Sequence, residues 1–189
     1  MEAGSLFCHI PIVLSILGYS SYGLDLRISQ KIIDRSKKYN ITNKLSDLSV
    51  DRIPFLDNYF DLIIFSETLE HFNFYPLNIF KEFYRILKSD GEIFITTPNL
   101  LRLNNRIKML IGRSVNYNIK IDYSLATHYR EYTAKEIKFL LSSSNFKNIK
   151  IKYRNFYYPN INKIVNIMNL IIGFIFPNFK SNLIVIGEK

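Results

Sequence analysis

The sequence predicts an α/β fold built on a doubly wound sheet, and three observations carry that expectation. Short apolar runs alternate with helix-like segments over roughly the first 150 residues. Two of the runs, YFDLIIFS (Tyr59–Ser66) and GEIFITTP (Gly91–Pro98), read as strands buried on both faces. A third, SYGLD (Ser21–Asp25), ends in an acid 21 positions after Gly4. Doubly wound folds place an acid about 20 residues beyond their first loop glycine, where its carboxylate accepts hydrogen bonds from ribose hydroxyls.

Each element has its own local reason. Ile10–Leu17 and Ile28–Lys38 are helix-like and flank the Ser21–Asp25 strand. Pro76–Leu87 follows the second strand as a helix, because proline is tolerated at a first helical turn. Pro98 stops the strand that begins at Gly91. Thr133 and Glu136 form a capping box, opening a helix that carries Ile137, Leu140 and Leu141. FKNIKIKY (Phe146–Tyr153) alternates apolar and polar residues, so one face of that strand is wet. NLIVIGEK, at the end of the chain, supplies the last strand.

Two segments stand outside the alternation. Leu100–Thr127 is an insertion carrying Arg102, Arg106, Lys108, Arg113 and Lys120. Asn160–Phe179 is apolar, with Asn162, Asn166, Asn169 and Gly173 as a narrow polar stripe at helical spacing. Its longest apolar stretch falls far short of the roughly 20 residues that span a bilayer. Its first reading is a core helix, and its second a helix lying in a membrane interface.

The chain has 189 residues, which suits one domain over 1–189 with 100–127 and 160–179 inside it. Hydrophobic residues make up 48%, as in globular proteins. The single cysteine, Cys8, excludes an internal disulfide and a cysteine-based zinc cluster. A cytoplasmic location is the simplest expectation, since Glu2 precedes the apolar run and no positive leader region is seen. Twenty-five basic and 16 acidic residues give a net charge of +9. That excess favours anionic partners or surfaces, or is scattered solubilising lysine.

The middle of the chain carries a connected set of motifs. They are Asp47-Leu48, Phe60-Asp61, Leu69-Glu70-His71, Arg85-Ile86-Leu87-Lys88 and Gly91, followed by HYREYTAKEI (His128–Ile137). In this order they resemble the class I S-adenosylmethionine-dependent methyltransferases, particularly the small-molecule subgroup, from about Glu2 to Tyr153. The resemblance implies a Rossmann-like sheet and S-adenosyl-L-methionine as cofactor. It implies that Glu2 and Gly4 frame the methionine end and that Asp25, with Leu26 beside it, holds the ribose. Asp47 accepts from the adenine amino group, Leu48 packs on the ring, and Ser66 and Glu67 line the cleft beside the sulfonium. His71 and His128 are the candidate bases for an acceptor hydroxyl. Their alternative roles are to shape the LEH loop and to tie down the insertion.

Two departures bear on the cofactor loop. Leu6 and Cys8 stand where the family has glycines, so their side chains are expected to crowd the methionine moiety. Only Met1 precedes Glu2, where the family has a full central strand. Three explanations stay open: an upstream start, an abbreviated strand with its neighbours closing the gap, or a decaying relative. The leading functional expectation is methyl transfer to a small-molecule or sugar-like (glycan) acceptor capped by Leu100–Thr127. The alternatives are a catalytically degenerate binding module and, ranked lower, RNA methylation. Nucleic acid is therefore a disfavoured partner, while peripheral membrane contact through 160–179 stays open. No metal-ligand spacing stands out.

Overall fold

The computed structural model describes residues 1–5, 8–49, 52–115, 128–155 and 163–189. Leu6, the 116–127 half of the insertion and residues 160–162 lie outside the described residues. In chain order the elements are β1 (Glu2–Ala3), α1 (His9–Ile16), β2 (Tyr22–Asp25), α2 (Gln30–Lys38), β3 (Thr42–Leu45) and β4 (Phe60–Ser66). A 3-10 turn (Leu69–His71) leads to α3 (Leu77–Ile86), β5 (Leu87–Pro98) and α4 (Leu103–Leu110). The chain continues through α5 (Ala134–Ser142), β6 (Lys147–Arg154), α6 (Lys163–Ile175) and β7 (Asn182–Glu188).

The strands form one sheet in the order β3-β2-β1-β4-β5-β7-β6. The first five are parallel, and β7 runs antiparallel between β5 and β6. The order reverses between β1 and β4, so the carboxyl ends of these two strands open the crevice where ligands of such sheets collect. β1 is two residues long here, and its neighbours do not close over it. Glu2 and Ala3 pair with Gly23 and Leu24 of β2, and with Ile64 and Phe65 of β4. Two residues thus keep both neighbours' ladders paired at the sheet centre, where an unpaired row would be costly.

The core lies where the uninterrupted apolar runs predict. Ile63 and Phe65 of β4, Ile93 and Ile95 of β5, and Leu183 and Val185 of β7 are fully buried. Helix α3 packs on them through Ile79, Phe80, Phe83 and Ile86, the i, i+1, i+4, i+7 face of an amphipathic helix. The Phe65 and Phe83 rings meet edge to face at 5.2 Å. Thr133 and Glu136 form the expected capping box at the start of α5. Strand β6 alternates exposed and half-buried residues, which is the wet face read from its sequence.

Three sequence expectations are corrected. The strand expected from Gly91 begins at Leu87, directly out of α3, because Leu87 pairs with Phe60 before a register shift that resumes at Leu62 and Glu92. Strand β3 was not expected: TNKL has no apolar pattern and owes its extended form to pairing with β2 at the sheet edge. Helix α6 is not a core helix over its described side chains, since Leu170, Ile171 and Phe174 are 63%, 58% and 86% exposed. No helix among the described residues is long and apolar enough to cross a membrane.

Candidate active site

The turn leaving β1 builds the first wall of the crevice. Gly4 sits at φ +76°, and a Cβ there would lie 2.3 Å from Thr68 Oγ1. Only glycine satisfies both constraints. The amides of Gly4 and Ser5 both donate to the Leu24 carbonyl, at 2.9 and 3.2 Å, folding the turn over β2.

Cys8 is one of the two residues expected to crowd the loop, and Leu6, the other, lies outside the described residues. Cys8 holds a left-handed backbone (φ 53°) as a glycine would, yet it is 1% exposed, with its thiol turned into the fold. Its Sγ receives the Ser5 hydroxyl and the Asn43 amide, each at 3.6 Å. Asn43 also donates to Ser36 Oγ. It lies where a Cβ on Gly23 would be, 2.0 Å from Oδ1. Gly23 thus makes room for Asn43, and Asn43 gives the buried thiol a polar partner.

The carboxylates predicted for the cofactor line this edge unequally. Glu2 is buried on β1, and burial raises its carboxyl above the usual range against a lowering hydrogen bond from Ser5. Asp25 ends β2 half-buried. Its Oδ1 accepts from the Arg27 amide at 3.1 Å, and burial raises it. Leu26 beside it is 51% exposed, an apolar side chain open to a ligand. Asp47 Oδ1 accepts from the hydroxyl and the amide of Ser49, at 2.6 and 2.9 Å. Those bonds hold it low. Leu48 rests half-buried against the core. Ser66 ends β4 with its hydroxyl 2.7 Å from that of Thr96, and Glu67 follows in a left-handed conformation (φ 46°).

A second cluster forms beyond β4. The 3-10 turn buries Glu70 completely, with Oε2 accepting from the Thr97 hydroxyl at 3.0 Å. Burial, then the nearby Glu67 charge, pushes the Glu70 carboxyl up to about 7. The Glu70 carbonyl accepts the amides of Tyr129 and Arg130, at 2.8 and 3.2 Å. That pairing brings His128 onto the turn, so its ring meets that of His71 edge to face at 4.9 Å. His128 Nδ1 lies 3.8 Å from Glu131 Oε1, and this neighbour raises the imidazole above its ordinary value. Arg102 and Asn105 of the insertion hold Glu131 from the other side. One residue beyond each histidine begins an aromatic cleft of about 780 Å³, with Phe72, Phe74, Tyr75, Tyr129, Tyr132 and Phe139 in its walls.

The structure therefore brings His71 and His128 together and sets Glu2, Gly4, Asp25, Ser66 and Glu67 along one strand edge. Glu70, Glu131 and Asn43 were not assigned roles from sequence. The first two stand inside the LEH and HYREYT motifs, which was the available signal. For Asn43 there was none.

A doubly wound sheet with a glycine turn at its switch point and an acid ending the next strand defines a nucleotide-type cofactor fold. The chain matches the family described as "Methyltransferase domain" over residues 9–151 and belongs to it. No curated protein matches it in sequence. Among solved structures it resembles a SAM-dependent methyltransferase from Archaeoglobus fulgidus, with TM-score 0.67 and 18% identity over 100% of this chain and 84% of that one. Another, from Mesorhizobium loti, gives TM-score 0.63 and 18% identity over 100% and 89%. The Haemonchus contortus phosphoethanolamine N-methyltransferase 2, in complex with S-adenosyl-L-methionine, gives 0.66 and 14% over 100% and 47%. The protein is thus a class I methyltransferase with S-adenosyl-L-methionine as its cofactor. Its described residues fit that group. Gly4 keeps its left-handed turn, Cys8 is buried, and half-buried Asp25 ends β2.

Proposed function

We propose that the chain transfers a methyl group to a hydroxyl of a small, sugar-like acceptor at the carboxyl edge of β4. The observation supporting this is the convergence of His71 and His128 on the turn beside the cofactor edge, next to an aromatic cleft. Aromatic walls suit the apolar faces of a sugar ring, and Arg130 and Lys135 at the same cleft suit acidic substituents. In this reading Asp25 accepts the ribose hydroxyls, while Glu2 and Gly4 border the amino-acid end. Asp47 and Leu48 meet the adenine, and Ser66 and Glu67 line the reacting centre.

When bound, S-adenosyl-L-methionine supplies a methyl group already activated on a sulfonium. What the chain must add is alignment and exclusion of water. Alignment comes from the paired imidazoles. The acceptor hydroxyl gives its proton to this cluster of imidazoles and carboxylates as the new carbon–oxygen bond forms. Calorimetric titration with S-adenosylhomocysteine tests the cofactor half. Micromolar binding should weaken at least tenfold in Asp25→Ala, since hydrogen bonds to a charged group contribute about 1.5–3 kcal/mol. Absence of binding to the folded wild type would favour a non-catalytic binding module.

A second observation extends the reading. Ile167, Leu170, Ile171, Phe174 and Ile175 of α6 are exposed, and Arg106 of the insertion stacks on Phe179 just beyond that helix, 4.4 Å from its centroid. An exposed apolar helix beside cations suits the interface of an anionic membrane, and hence a lipid-linked acceptor.

A further inference from the structure

We propose that Glu70, His71 and His128 form a binding site for a divalent first-row transition-metal ion, with Glu67 as a further ligand. Ligand atoms of the first three all lie within 4.8 Å of one another. An ion with bonds of about 2.1 Å spaces tetrahedral ligands about 3.4 Å apart, so small side-chain rotations close the set.

A second observation points to a cation independently of that spacing. Glu70 Oε1 and Glu67 Oε1 are both buried, and neither accepts a hydrogen bond among the described residues. Buried polar atoms are nearly always satisfied, and a cation between these neighbouring carboxylates would answer both orphaned oxygens. Neighbouring carboxylates take other partners: Glu131 is held by Arg102 and Asn105. No such basic side chain hydrogen-bonds to Glu67 or Glu70 among the described residues. Two imidazoles with carboxylate select a transition metal over magnesium or calcium, which take oxygen ligands. The same donor set leaves coordination positions open, as catalytic sites do.

The role of the ion rests on the methyl-transfer reading, whereas its binding does not. Set beside the cofactor edge, it would hold the acceptor hydroxyl and lower its pKa. The imidazoles then act as ligands rather than bases. Solvent takes the proton, and the electron pair of the breaking carbon–sulfur bond stays on sulfur.

The test uses the full chain, stripped with chelator and titrated with Co²⁺, read by its visible ligand-field bands and by calorimetry. One equivalent should bind, and His128→Ala should weaken it at least tenfold, with a changed spectrum. His71→Gln should do likewise. His128 is partly exposed, so its variant should keep the wild-type thermal midpoint and its affinity for S-adenosylhomocysteine. Absence of Co²⁺ binding, or bands unaltered in His128→Ala, overturns the site. S-adenosylhomocysteine binding by that same protein would leave the methyltransferase reading standing. Co²⁺ binding without S-adenosylhomocysteine binding establishes the metal site and sinks the methyl-transfer reading instead.

Discussion

Gly4 shows how one residue can answer two demands. Its positive φ costs any other L-residue about 1–3 kcal/mol, and its missing Cβ makes room for Thr68. Gly4→Ala should therefore destabilise the fold by about 2–4 kcal/mol in denaturant titration. Adding Thr68→Ala should recover part of that loss, because it removes the two nearest atoms, Oγ1 at 2.3 Å and Cγ2 at 2.6 Å. No recovery would mean that backbone strain alone dominates. Cys8 makes a related point, since it takes a left-handed backbone without being glycine and buries its side chain.

At the scale of elements, α3 and the loop before β4 are joined by Arg85. Its guanidinium donates to Glu82, to Asp57 and to the carbonyls of Ile53 and Phe55. Arg85→Ala should cost about 2–3 kcal/mol, because it strands several acceptors at once. The Arg85 hydrogen bond depresses the Glu82 carboxyl below its ordinary value. A depressed folded-state value means that the stabilisation is present above the unfolded value and lost as pH falls through the folded one. Denaturation midpoints from about pH 6 to pH 3 should thus fall more steeply for wild type than for Glu82→Gln. Equal slopes would assign acid sensitivity to other carboxylates.

Over the whole molecule, a net charge of +9 and the outward apolar face of α6 act together. Each is common alone, but together they describe a surface suited to acidic lipid. The protein should co-float with vesicles containing phosphatidylglycerol. A Leu170→Ser, Phe174→Ser double variant should bind about tenfold less, since both side chains are exposed and their substitution leaves the core intact. Wild-type protein that stays with the aqueous phase at low salt would discard the lipid-linked acceptor and leave methyl transfer untouched.

The sequence by itself determined the α/β class, the buried strands β4 and β5, the capping box of α5 and the acid that ends β2. These are local properties, written in spacings of two to four residues and in the chemistry of caps and turns. The tertiary structure alone decided where Cys8 points, that TNKL becomes an edge strand, that α6 shows its apolar side chains to solvent, and that His128 meets His71 and Glu70. Each of those depends on pairing between distant parts of the chain. Asn43 reaches Cys8 because β3 lies beside β2. His128 reaches the 3-10 turn because two amides of its segment find the Glu70 carbonyl. Such contacts are set by strand order and backbone hydrogen bonding across the fold, and neither leaves a periodic trace in the sequence.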